Sequence, residues 1–373
     1  MKLQAGKPVM GKDLIGREKE IELIMTLLLQ GQSVVLIAPR RFGKTSVVLE
    51  VLDRLKKDHH FSSYIDLFAV PDIRQLSEQI TATVLANKKL DKVFRKFGRN
   101  ISQVLKNIEL KQVVEEFEFV LSYASPETDD WELLSESIDF IESYSNKYQK
   151  QIFCGLDEFG DISKLDGDRI VKLFRSKIQL QKNAAYIFSG SSESMMDSLF
   201  LKKNSPFYRL ARIIEIGFIH EEDFRKYLER TFHELNIGVT APFINSILDF
   251  SNGHPYYTQL ILQQIYISHE LTPLTFKLDL VTILEDLLVH ERNYLEKLWE
   301  EISKRREHRQ VVMKIAEDTT SLYSRIDYKS INVSRTLKIL KGIGLIIKNS
   351  DDRYILSDPL FALWIRKKVL KTQ

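Results

Sequence analysis

Gly43, Lys44 and Thr45 are the first residues in this chain whose types and spacing could do chemistry. They follow the apolar run Val34-Val35-Leu36-Ile37 and the loop Ala38-Pro39-Arg40-Arg41-Phe42, and they open a helical pattern through Val47, Val48, Val51 and Leu52. Strand, tight loop and helix in that order are the setting of a P-loop. Such a loop points backbone N–H groups at a phosphate, and the positive end of the helix dipole faces the same spot. Lys44 would reach the β- and γ-phosphates of a nucleotide, and the Thr45 hydroxyl would ligate Mg²⁺. Pro39, Arg40, Arg41, Phe42, Gly43 and Ser46 complete the candidate loop. Arg40 and Arg41 could touch phosphate, with at least one of the two facing solvent. Ala38 stands where the pattern G-x-x-x-x-G-K-[ST] has its first glycine. The loop must therefore enter by a conformation that a Cβ tolerates.

A second motif has the complementary chemistry. Gln151-Ile152-Phe153-Cys154-Gly155-Leu156-Asp157-Glu158 reads as a short buried strand that ends in two carboxylates. A Walker B strand is built this way: Asp157 would hold the Mg²⁺ shell, and Glu158 would orient or activate the attacking water. The bland alternative is an acidic pair that starts a solvated loop. A passive nucleotide binder has no need of the second carboxylate, so the pair favours ATP hydrolysis.

Several further runs resemble one family. Asp13-Leu14-Ile15-Gly16-Arg17-Glu18-Lys19-Glu20-Ile21 is similar to the N-terminal box of AAA+ and related ATPases. The loop Ala38–Thr45, Leu156-Asp157-Glu158-Phe159, Phe188-Ser189-Gly190-Ser191, Pro206-Phe207-Tyr208-Arg209, Gly253-His254-Pro255-Tyr256 and Ser357-Asp358-Pro359-Leu360-Phe361 resemble the archaeal-type ATPase family. That family is a branch of the AAA+/STAND P-loop proteins, and the matches run in family order over nearly the whole chain. The resemblance implies an ATP-binding domain, a helical lid and a C-terminal winged helix. It also implies roles. Ile15, Gly16 and Arg17 would cover the adenine. Ser189 or Ser191 would be the sensor that helps hold the attacking water, a plain turn being the other reading. Arg209 would stabilise γ-phosphate charge across a subunit boundary, unless it is a surface arginine paired with an acidic neighbour. His254 and Pro255 would abut the nucleotide from the lid, or form a structural capping turn.

The elements that must position these groups follow from periodicity. Strands are expected at 33–37, 63–67, 151–156, 185–189 and 212–216, with helices at 21–29 and 44–56. Strands alternating with helices predict an α/β fold, a parallel sheet flanked by helices. Residues 72–148 carry helical spacing, and a basic-then-acidic insertion is expected over 90–128. The P-loop domain is thus expected at 1–218, a helical lid at 219–289 and a winged-helix domain at 290–373. In the last, Val311–Ala316, Val333–Leu340 and a hairpin from 342 to 356 supply the rhythm, with Asn349-Ser350-Asp351-Asp352 at the turn.

Composition sets limits. The 373 residues are 44% hydrophobic, which suffices for two or three domains with real cores. The only cysteine, Cys154, lies in the Walker B strand, so neither a disulfide within the chain nor a cysteine-based zinc site is possible. No apolar stretch approaches a membrane span, and a reducing cytoplasm is the expected location. Net charge is +3, but residues 301–373 carry 16 Lys and Arg against 8 Asp and Glu. Lys329, Arg335, Lys338, Lys341, Lys348 and Arg353 could meet DNA phosphates, while Asp351 and Asp352 would repel them. A protein partner or a homo-oligomer fits the same region. The expected activity is Mg²⁺-dependent ATP hydrolysis that drives or switches the lid and winged helix. The alternatives are a slow nucleotide-gated switch or scaffold, and a nucleotide-regulated DNA-binding protein.

Overall fold

The computed structural model describes residues 3, 5–88, 129–190, 193–272, 277–317, 332–349 and 352–371. The expected insertion at 90–128, together with Ser191, Lys329, Ser350 and Asp351, lies outside the described residues.

Five strands form one parallel sheet: β1 (Val34–Ile37), β2 (Phe61–Asp66), β3 (Ile152–Asp157), β4 (Ala184–Gly190) and β5 (Arg212–Glu215), in the spatial order β2-β3-β4-β1-β5. The three inner strands are buried along their whole length, as their near-continuous apolar runs require. Edge strand β2 alternates buried and half-buried residues. It begins at Phe61 rather than at Ser63, because Phe61 pairs with Ile152 at the start of β3. Two serines in sequence conceal that pairing.

Side chains of β1 alternate between two cores, as the period of a strand dictates. Val34 and Leu36 pack under α1 (Glu18–Leu29) and α2 (Lys44–Lys57). Val35 and Ile37 face α3 (Ile73–Leu85), α4 (Asp130–Tyr148) and α5 (Ser163–Ile178). The sheet is therefore flanked by helices on both faces, and the carboxyl ends of its strands open to one side.

Beyond the sheet the chain is helical: α6 (Glu221–Glu234), α7 (Ala241–Ser251), α8 (Pro255–Leu271), α9 (Leu280–His290), α10 (Arg292–Ser303) and α11 (Arg306–Ala316). Pro255 occupies the first turn of α8, where its missing N–H does no harm. Then come α12 (Val333–Gly342), the antiparallel hairpin β6 (Ile346–Lys348) and β7 (Tyr354–Leu356), and α13 (Pro359–Trp364). Helix, helix and hairpin follow the winged-helix succession. One apolar core runs from Ile219 to Ile365 and includes Phe224, Ile261, Leu287, Val312, Leu337 and Phe361. Ile347 of β6 joins the core beneath α1 and α2 instead, in the cluster that holds Ile214 and Ile216.

Candidate functional site

A cavity of about 890 Å³ lies at the carboxyl ends of β1, β2 and β3, where open α/β sheets bind their ligands. The loop Arg40–Ser46, Tyr64, Asp66, Asp157 and Glu158 line one part of it. Gly6–Val9, Asp13–Ile15, Ile219, Phe224, Pro255, Tyr256 and Gln259 line another. The N-terminal segment is pinned there by α2: Val9 N–H donates to Ser46 Oγ at 3.0 Å and Gly11 N–H to Glu50 Oε2 at 2.8 Å.

The loop turns through two left-handed residues, Arg41 (φ +69°) and Gly43 (φ +86°). Ala38 keeps a negative φ, so the missing glycine is accommodated by placing the turn further along the loop. Among the described residues, the amides of Gly43, Lys44, Thr45 and Ser46 find no acceptor within the chain. Orphan amides at a helix start are an anion cradle. Lys44 is buried and donates to the carbonyl oxygens of Ala38 at 2.8 Å and Pro39 at 3.1 Å. Burial pulls its ammonium down to about 8, while Glu158 and Asp157 hold it up.

Asp157 is the hub of the site. Its Oδ2 accepts from Thr45 Oγ1 at 2.6 Å and from the Tyr64 hydroxyl at 3.0 Å. Its Oδ1 accepts from the Glu158 amide at 3.0 Å and from the Ser189 hydroxyl. Glu158 follows in a left-handed conformation (φ +48°) that places it at the cavity wall beside Asp157. Asp66, paired with Asp157 across β2 and β3, is pushed up by burial and by the neighbouring carboxylates. Among the described residues no group of three or more His, Cys, Asp or Glu is arranged to hold a metal by itself. A carboxylate and a hydroxyl in contact beside a phosphate cradle suit Mg²⁺, which takes few protein ligands and fills its shell with phosphate and water oxygens.

The cavity brings together Ile15, Arg17, Arg40, Arg41, Phe42, Gly43, Lys44, Thr45, Ser46, Asp157, Glu158 and Pro255. Five other residues picked out from sequence stand elsewhere. Pro39 contributes only its carbonyl, to Lys44. Gly16 (φ +62°) is a packing glycine: a Cβ there would come within 2.5 Å of Ile219 Cγ2 and 3.1 Å of Asp223 Oδ2. Ser189 is fully buried, and its hydroxyl orients Asp157. His254 caps α8 by accepting from Tyr256 N–H at 3.2 Å, and its ring lies 4.5 Å from that of Phe42. Burial, then the charge of Arg41, lowers His254 to about 3, so it stays neutral. Arg209 is exposed (φ +58°), 5.4 Å from the centroid of its neighbour Tyr208 and away from the cavity. Arg17 reaches the cavity wall, but its guanidinium donates to Gly217 O at 2.5 Å and Phe42 O at 3.3 Å and pairs with Glu20. It ties the N-terminal box to the loop.

Sequence assigns no role to Tyr64, and places Tyr256 in the Gly253–Tyr256 run without giving it one. The signal for Tyr64 is its place two residues before the end of β2, on the strand next to Asp157.

A phosphate cradle with a buried lysine, a hydroxyl–carboxylate pair and a following glutamate define a P-loop ATPase. The family described as an ATPase domain predominantly from Archaea matches residues 14–261, and the chain belongs to that family. The fold is similar to the Walker-type ATPase of Pyrococcus abyssi, with a TM-score of 0.68 at 18% identity over 98% of this chain and 100% of that one. It is also similar to the ORC2 protein of Aeropyrum pernix, with a TM-score of 0.50 at 13% identity over 99% and 98%. No curated protein sequence matches the chain. No helix among the described residues is long and apolar enough to cross a membrane.

Proposed function

We propose that the chain binds ATP with Mg²⁺ in this cavity and hydrolyses it, and that the nucleotide state sets the position of the C-terminal helices. The observation that carries the reading is the contact of Thr45 Oγ1 with Asp157 Oδ2 at 2.6 Å, between buried Lys44 and Glu158. Mg²⁺, when bound, would neutralise charge on the β- and γ-phosphates. Thr45 and Asp157 would hold it, Lys44 would bind the same phosphates, and Glu158 would orient water and accept its proton. Val9, Ile15, Ile219 and Phe224 supply an apolar wall for the base. The proposed units are the ATPase domain at 1–218, the lid at 219–289 and the winged-helix domain at 290–373. The core shared from Ile219 to Ile365 supports movement of the last two as one body.

A protein or intramolecular role for the basic C-terminal region is favoured over DNA binding in this arrangement. Helix α12, which carries Arg335, Lys338 and Lys341, packs on the short helix Glu193–Met196, and its Lys338 and Lys341 act on Asp197.

The deciding experiment is ATP hydrolysis by the wild type and by Glu158→Gln. The glutamine keeps the size of the side chain and loses its basicity. Turnover should fall by about 10²- to 10⁴-fold with ATP binding retained. Equal turnover in the two proteins would move the general base elsewhere.

A further inference from the structure

Arg41 belongs to the phosphate loop, yet its guanidinium is held outside it. Its backbone is left-handed (φ +69°), a conformation that a side chain with a Cβ disfavours. The guanidinium lies 4.4 Å from the centroid of the Tyr256 ring and 5.5 Å from that of Tyr294. These rings belong to the first turns of α8 and α10. Behind them is a small cleft lined by Tyr257, Glu291 and Asp358. Asp358 is buried and caps α13, accepting from Phe361 N–H at 2.8 Å. It also hydrogen-bonds to Tyr257 and feels the charge of Arg41. Asp358 lies in the Ser357–Phe361 run, which the ATPase chemistry leaves unused. Arg41 and Tyr256 alone line both this cleft and the nucleotide cavity. Arg41 therefore stands at the boundary between the two.

We infer that Arg41 is a nucleotide-controlled latch: the Tyr256 and Tyr294 rings hold it on α8 and α10, with Asp358 in the cleft behind them, and the phosphates of bound ATP draw it away, releasing α10 and α13 from the loop. The inference rests on the reading of the cavity as an ATP site. The driving force is the guanidinium's preference for paired phosphate oxygens, which offer two charge-assisted hydrogen bonds, over a tyrosine cage. Because the cage competes with ATP, weakening it must strengthen ATP binding.

The test uses full-length Asp358→Asn and Tyr294→Leu proteins, neither altered at a residue lining the nucleotide cavity. Asparagine keeps the acceptor that caps α13, and Tyr294 is exposed, so its replacement leaves the core intact. The readouts are affinity for a non-hydrolysable ATP analogue and amide hydrogen exchange of α10 and α13. Tyr294→Leu should bind the analogue about three- to tenfold more tightly than the wild type, the range a cation–aromatic contact supplies, and Asp358→Asn should shift affinity in the same direction. In their free state, α10 and α13 should exchange as fast as in the wild type with analogue bound. Unchanged or weaker affinity, with exchange as in the free wild type, would overturn the latch and leave the ATP site standing. Failure of the wild type to bind the analogue would overturn the ATP site itself. If Asp358→Asn melts early, Tyr294→Leu alone decides.

Discussion

Lys44→Met separates the stability of the free protein from its affinity for ATP, and the two should move in opposite directions. Methionine matches the length of the lysine stem and removes the charge. Burial pulls the Lys44 ammonium from 10.5 down to about 8, so its charged form costs the fold on the order of 3 kcal/mol at pH 7. The substitution also strips Ala38 O and Pro39 O of a donor, which returns about 1 kcal/mol for each bond. The free variant should therefore be more stable than the wild type by about 1 kcal/mol. Between about pH 8 and 10.5 the unfolded lysine holds its proton more tightly than the folded one, so wild-type stability rises with pH. The advantage of the variant is full below pH 8 and shrinks through that window. ATP reverses the order. At a hundred times the dissociation constant a ligand adds about 2.7 kcal/mol to the folded state, and the variant should lose that gain. Urea denaturation at pH 7 and pH 10, with and without ATP and Mg²⁺, reads all four quantities. A variant that is less stable than the wild type and still stabilised by ATP would refute both the burial argument and the phosphate role of Lys44.

Two further outcomes test the site from other sides. Tyr64→Phe keeps the ring and removes one donor to Asp157 Oδ2, so the Mg²⁺ concentration that half-supports ATP binding should rise about tenfold, the effect of one hydrogen bond to a charged group, while metal-free binding holds steady; a Mg²⁺ titration checks it, and an unshifted midpoint removes Tyr64 from the site. Arg209→Ala should bind ATP normally, and if Arg209 acts across a subunit boundary it should lose about 10³-fold or more in turnover and regain part of it when mixed with Glu158→Gln protein; turnover that does not change with wild-type concentration would exclude action in trans.

The phosphate loop and the carboxylate pair were legible because each is a contiguous run whose strand or helix is written in its own periodicity. Their meeting was legible only through the motifs, for Thr45 and Asp157 touch across 112 positions of sequence. Tyr64 was not legible. It is one of two aromatic residues in an ordinary alternating strand, and only the pairing of β2 with β3 brings it beside Asp157. From sequence, Ser189 or Ser191 is a sensor of water or part of a plain turn. The adjacency of β3 and β4 instead brings the Ser189 hydroxyl to Asp157, and no local pattern distinguishes these uses of a serine. Gly16 stands in a motif that implies cover of the adenine, and His254 in one that implies either a nucleotide contact or a structural capping turn. What holds them is packing, against Ile219 for one and Phe42 for the other. Sequence motifs locate a site well and assign its inner and outer residues poorly, since a helix cap and a ligand contact can use the same atoms.

The contacts inside the site also explain why a bound nucleotide should be felt far from it. Lys44 rests on the carbonyls of Ala38 and Pro39, Thr45 on Asp157, and Arg41 on Tyr256 and Tyr294. Each of the three groups proposed to meet phosphate or metal thus has a partner inside the chain. Binding is an exchange of those partners, so part of the interaction energy with ATP is offset by the bonds given up. The exchanges differ in reach. Lys44 releases only its own loop, and Thr45 leaves Asp157 still held by Tyr64, Ser189 and the Glu158 amide, so the catalytic end keeps its geometry. In the proposed latch Arg41 releases α10 and α13, which begin at residues 292 and 359 and share a single core. A site in which two exchanges stay local and the third does not can keep its chemistry rigid while its outer helices respond to the nucleotide.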